Sequence, residues 1–151
     1  MSLKRIGKFL ITYLYPFFKH PLLFFRLNND NVKVIVFFKN KVLLIKNTYR
    51  QGWTFPGGGV KKNESYEQAA IREVREEVAI NININNLKNR GSFNLDSQKS
   101  TKTVVFSYEV KKSNLKIDDL EVEKAVWINI DEVSHLPLLP VATQSAKLLN
   151  L

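Results

Sequence analysis

Residues 55–80 read FPGGGVKKNESYEQAAIREVREEVAI, and the fold turns on how this stretch divides. Pro56 fixes the entry of the chain. Gly57, Gly58 and Gly59 then allow positive φ and a close approach of backbone to a ligand. Ser65 and Gln68 have the spacing of a capping box, which predicts a helix starting near Tyr66 and running to about Val78. On that helix Ile71, Val74 and Val78 fall on one side and dock on a sheet, while Glu73, Glu76 and Glu77 share roughly the opposite side.

The sheet comes from the flanks. VKVIVFF (residues 32–38) and KVLLIKN (41–47) are rich in β-branched and aromatic residues, and Lys39–Asn40 between them suits a tight hairpin. GWTF (52–55) reads as a short extended piece. NNLKNRGSFNL (85–95) and TKTVVFSYEV (101–110) read as two strands joined by a turn over DSQKS (96–100). KAVWINI (124–130) is a further strand, DEVSHL (131–136) a helical turn closed by Pro137, and VATQSAKLLN (141–150) a terminal helix. Strands with a few interspersed helices give an α/β fold, a mixed sheet covered by helices.

A chain of 151 residues is the size of one domain, and 44% hydrophobic residues suffice for a core. The absence of cysteine excludes a disulfide framework, a thiolate metal site and a cysteine nucleophile, and fits a reducing cytoplasm. His20 and His135 are too few for a histidine metal centre. The formal charge of +9 concentrates anions such as nucleotides, RNA ends or acidic lipids near the surface, with plain solubility as the alternative.

Residues 1–30 form a separate basic segment ahead of the domain at 31–151. Leu3, Ile6, Leu10, Tyr13, Leu14 and Phe17 recur at three and four, with Lys4 and Lys8 on another side, which predicts a basic amphipathic helix at least to Tyr15; Pro16 and Pro21 interrupt it. The longest uncharged run there, residues 9–18, is short of the roughly 20 residues a spanning helix needs. No small-residue cleavage site follows, so no signal peptide is read. Residues 3–25 then either lie on an anionic membrane surface, with Phe17, Phe18, Phe24 and Phe25 as anchors, or pack on the domain or on a homodimer partner. The first reading places the protein peripherally at the inner membrane surface.

Glu73, Glu76 and Glu77 stand at i, i+3 and i+4, and three like charges on one side repel. Arg72 and Arg75 relieve this only in part, Arg72 by reaching Glu76 at i+4. The group is either a charged surface helix or a hard-cation site for Mg²⁺ or Mn²⁺, which favour carboxylate oxygens and bridge to phosphates. The glycine loop ahead of it favours the cation site, since its backbone carbonyls can join the same metal. The Lys and Ser/Thr of a Walker-type phosphate loop are missing.

Taken together, Gly58, five residues, Glu64, seven residues, Arg72-Glu73-Val74, one residue, Glu76-Glu77, one residue and Ala79-Ile80 resemble the Nudix box of the Nudix hydrolases, with Ala79 where that pattern has Gly. The flanking GWTFPGGG is also similar, and Glu121 to Trp127 with Asp131-Glu132 resembles the family's late strand and turn. The resemblance implies an α/β/α sandwich with a mixed sheet. It also implies hydrolysis of a pyrophosphate linkage in a nucleoside diphosphate bonded to another moiety. Carried over by position, Glu73, Glu76 and Glu77 bind divalent metal, joined by the Gly57 carbonyl. Arg72 orients the glutamates and Glu64 supports. Glu76 or Glu73 is the base, with Glu109, Glu121 and Glu123 as further candidates for base or ligand. Ala79 is expected to alter helix termination and to leave the chemistry intact.

On the substrate side, Gly58 and Glu64 border the ligand space, Arg50 is a candidate phosphate contact and Trp53 a candidate base-stacking residue. The alternatives are a surface arginine and a core tryptophan. The Pro or Tyr that marks several subfamilies some way past the box is missing from residues 94–100. Three readings follow: a nucleotide-type Nudix hydrolase, an RNA 5′-end pyrophosphohydrolase, and a non-catalytic Nudix module that binds a nucleotide or a membrane.

Overall fold

The computed structural model describes residues 30–95, 101–117 and 120–151. The amphipathic segment over residues 3–25 and the turn at 96–100 lie outside them. Five strands, β1 (Asn31–Phe38), β2 (Lys41–Asn47), β3 (Lys88–Asn94), β4 (Lys102–Glu109) and β5 (Val122–Asn129), form one sheet in the order β3-β4-β1-β2-β5. β1 runs parallel to β4, and the other neighbours are antiparallel, so the sheet is mixed as expected.

Helix α1 (Tyr66–Val78) covers one face and helix α2 (Pro140–Lys147) the other. Alternation along β1 assigns the faces. Val32, Val34 and Val36 join Leu43, Ile45, Val104 and Phe106 under Ala69, Ala70, Val74 and Val78 of α1. Ile35 joins Val42, Leu44, Val105 and Phe55 under Ala142 and Ala146 of α2. A central strand covered on both faces needs apolar residues at successive positions, which is why β1 reads as a near-continuous Val/Ile/Phe run. Edge strand β3 needs few: only Phe93 of its seven residues is even partly buried. The register slips between Asn89 and Gly91, and Gly91 has φ 119°, a bulge that blunts the edge.

Both arms of the capping box at Ser65 form: Ser65 Oγ accepts from the Gln68 N–H at 3.1 Å, and Gln68 Oε1 accepts from the Ser65 N–H at 2.8 Å. At the other end Ala79 keeps φ 56°, and its N–H donates to the Arg75 carbonyl. The helix thus stops in the left-handed turn a glycine would take, and the expected change in termination does not occur. A left-handed Ala costs on the order of 1–2 kcal/mol, partly offset by the extra unfolded-state freedom of Gly. Ala79→Gly should therefore stabilise the protein by up to about 1 kcal/mol, read as a higher urea midpoint at unchanged m-value.

Candidate active site

Pairing between β1 and β2 is confined to Phe37↔Val42 and Phe38↔Lys41. Toward the start of β1 the glycine loop takes the neighbouring edge. The Val34 N–H donates to the Pro56 carbonyl and the Val32 N–H to the Gly58 carbonyl, both at 2.9 Å. The loop is thereby pinned between β1 and α1, which explains two of its glycines. Gly57 has φ 133°, and a Cβ there would run into the Val32 carbonyl. A Cβ on Gly58 would lie 2.5 Å from Glu73 Oε1.

Arg72 is the hub on the helix side. Its Nε and Nη2 donate to the two oxygens of Glu64 at 2.7 and 2.9 Å, its Nη1 to Glu73 Oε1 at 2.7 Å and Glu76 Oε2 at 3.2 Å, and its Nη2 also to the Gly59 carbonyl at 2.9 Å. This fork geometry suits guanidinium and not ammonium. Glu64 in turn accepts from the Lys61 N–H, and its bond to Arg72 pulls its carboxyl below the usual range. Glu64 thus holds the guanidinium, and the guanidinium holds Glu73 and Glu76.

The three helix glutamates differ. Glu76 is half exposed, Glu73 is mostly covered, and Glu77 is buried at 5% exposure. Glu77 Oε2 accepts from the Gly57 N–H at 2.8 Å. Burial pushes its carboxyl up to about 7, against the opposing pull of Lys33 and that hydrogen bond. Beneath it lies Lys33, a buried lysine on β1 that residue spacing does not single out. Its Nζ donates to the Phe55 carbonyl at 2.9 Å and the Gly57 carbonyl at 2.8 Å. Burial pushes this ammonium down, while Glu77 and Glu73 pull it back up. The one signal in the sequence is a lone cation inside VKVIVFF.

The donors are all oxygens, the chemistry of a hard cation, and a buried carboxyl held up by desolvation gains from one. They are not gathered, however. Among the described residues no three acidic or histidine side chains stand close enough to hold a metal ion. Glu73 and Glu76 turn to Arg72, Glu77 turns to the backbone, and the Gly57 carbonyl is engaged by Lys33. The residues fit the group; metal would require the carboxylates to turn inward.

The other candidates separate. Glu121 lies near enough for its charge to help hold the Glu77 carboxyl up. Glu123 is exposed and faces Lys46 at 3.8 Å. Glu109 pairs with Phe37 at the far end of β1, away from the loop, so it is not a member of this site. Arg50 is exposed, its guanidinium over the Tyr49 ring at 5.8 Å, and its charge reaches Lys33. Trp53 is partly buried against the α2-side core, with Lys124 Nζ 6.0 Å above its ring. Packing and ligand contact remain compatible at that position.

The chain resembles known proteins in sequence and in fold. The Nudix hydrolase YvcI of Bacillus subtilis is 28% identical over 104 residues, 67% of this chain and 66% of that protein. An RNA pyrophosphohydrolase of Hydrogenovibrio crunogenus is 43% identical over 51 residues, 33% of this chain and 31% of that protein. The chain thus spans just under two thirds of the first and about a third of the second. In structure, the NUDIX domain of Shewanella oneidensis NrtR, solved with ADP ribose, superposes with a TM-score of 0.70 at 20% identity, covering 85% of this chain and 90% of that one. The model of the NUDIX domain matches residues 27–151, and with the box on a helix between the glycine loop and a mixed sheet, the chain belongs to the NUDIX family.

Proposed function

We propose that the protein is a Mg²⁺-dependent hydrolase that cleaves the pyrophosphate linkage of a nucleoside diphosphate bonded to a second moiety. One observation carries this: a buried Glu77 and a mostly covered Glu73, one turn apart on α1, meet the glycine loop at Gly57 and Gly58, with Arg72 holding Glu73 and Glu76. Glu73, Glu76 and Glu77 would hold the metal. When bound, Mg²⁺ neutralises diphosphate charge and acidifies water. Glu76 or Glu73 takes the proton from the attacking water, with Glu121 as the alternative base. Arg50 meets a phosphate and Trp53 the base. The ADP ribose in the Shewanella relative has the expected substrate chemistry. Mn²⁺ fits the same donors.

The test is phosphate release across nucleotides, nucleotide sugars and triphosphorylated RNA, with and without Mg²⁺. Mg²⁺-dependent turnover on one class supports the reading and names that class. Turnover confined to triphosphorylated RNA, steeply lowered by salt, would select the RNA 5′-end reading, to which the +9 charge lends support. The ungathered carboxylates favour a second reading, a non-catalytic module that binds a nucleotide or membrane; silence across the whole panel with ligand binding intact would select it.

A pH dependence follows from Glu77. Its carboxyl is raised to about 7 in the metal-free protein, so below that pH it is protonated and metal must displace the proton. Metal affinity should therefore fall as pH drops from 8 to 6 by about tenfold, with proton release on binding near pH 6 and little at pH 8, measured by calorimetry in buffers of different ionisation enthalpy.

A further inference from the structure

A cleft of about 950 Å³ opens at the other end of the sheet, where the parallel strands β1 and β4 finish. Four cations line it, Lys39 in the β1–β2 turn, Lys88 and Arg90 on β3, and Lys111 after β4, against one carboxylate, Glu109. It is separate from the glutamate site. Phe38 at its wall is six residues along β1 from Val32, whose N–H holds Gly58, a distance of about 20 Å at roughly 3.3 Å per residue.

We propose that this cleft binds the phosphate backbone of a single-stranded polynucleotide. None of the four cations forms an ion pair with a described residue; Lys39 Nζ lies over the Phe38 ring at 5.4 Å, and with Glu109 as the one carboxylate in the lining the excess positive charge favours an external anion. The Arg90 guanidinium is held in place, since its Nε donates at 2.7 Å to the hydroxyl of Ser107, itself buried, which fixes the plane of the group at the cleft wall. The cations come from three separate segments and not from one helix or loop. The cleft they line, about 950 Å³, is far larger than a single phosphate fills, which suits a chain of phosphates better than a compact anion. Asn85 and Asn86 add amide donors and acceptors to the lining, while Phe38 and Tyr108 line it from the α1 side of the sheet, the Phe38 ring packed against Trp127 at 5.7 Å and under Lys39 Nζ at 5.4 Å. A positively charged cleft that tracks the backbone is the electrostatic part of sequence-tolerant binding of single strands.

The proposal goes beyond the hydrolytic reading and is tested apart from it. The probe is a short fluorescent single-stranded RNA with a 5′-hydroxyl, which carries no anhydride to cleave, followed by anisotropy against salt. Four phosphate contacts predict a slope of about −2.8 in log K against log salt. Lys88→Gln/Lys111→Gln removes two contacts. Its slope should fall to about −1.4 and its affinity near 0.15 M salt by about tenfold. Lys116→Gln/Lys147→Gln removes the same charge from exposed positions outside the cleft and should change neither by more than a fraction of that. Equal losses in the two double variants would reduce the binding to net charge and overturn the proposal. So would failure of the wild type to bind the RNA, or binding of inorganic pyrophosphate alone, lost in the cleft variant. None of these outcomes bears on turnover at the glutamate site.

Discussion

Glu76→Gln is expected to lower kcat by about 10²- to 10⁴-fold, the usual range for removing a general base, at unchanged thermal stability. Glu76 is the helix glutamate that solvent reaches, and it is the least committed: its side chain is 50% exposed and touches Arg72 at 3.2 Å. An exposed pair of that kind contributes little to folding, typically below about 1 kcal/mol. Gln keeps the size and loses the charge and basicity. The decisive comparison is kcat in the two proteins at matched melting behaviour. A loss under about tenfold would move the base role to Glu73 or Glu121, whose Gln variants then stand beside it.

Lys33→Met is expected to destabilise the fold by about 3 kcal/mol or more, the usual cost of removing one partner of a buried charge pair. The ammonium donates to the Phe55 and Gly57 carbonyls, and the charge of the buried Glu77 acts on it. Met fills the volume but takes the ammonium from the Gly57 carbonyl, leaves the Phe55 carbonyl only the Thr54 hydroxyl at 3.3 Å, and removes the positive charge that acts on Glu77. Removing Glu77's charge as well should recover part of the loss. Lys33→Met/Glu77→Gln should thus cost less than the two single changes summed, in a denaturation cycle. Strict additivity would show that Lys33 and Glu77 do not act together. A neutral Lys33→Met would show that the loop does not depend on the ammonium.

Much of this is legible in the sequence because local rules agree with the fold. Ser65 and Gln68 locate the start of α1 because a capping box is a purely local device, and both of its hydrogen bonds form. Helical spacing lets Arg72 meet Glu76, while the parts given to Glu64 and Gly58, both ahead of the helix, come from the resemblance to the Nudix box. What stays hidden depends on tertiary approach. Glu73, Glu76 and Glu77 look equivalent on a helical wheel, yet their burial runs from half exposed to 5%, because the loop closes over Glu77 and leaves Glu76 in solvent. Lys33 reads as strand composition, since only the arrival of the loop at β1 gives its ammonium two acceptors. Glu109 is a fair candidate by residue type, but the parallel β1–β4 register carries it to the opposite end of the sheet. Ala79 shows local preference overridden: the helix end keeps φ 56° although the residue disfavours it.

Whether these glutamates hold a divalent metal is tested most directly by Mn²⁺ binding, followed as the loss of the free-ion EPR signal. Saturable binding is expected in the wild type, displaced by Mg²⁺ and abolished in Glu73→Gln/Glu77→Gln. A wild-type protein that binds no Mn²⁺, or a double variant that binds it as well as the wild type, would contradict the metal-site reading.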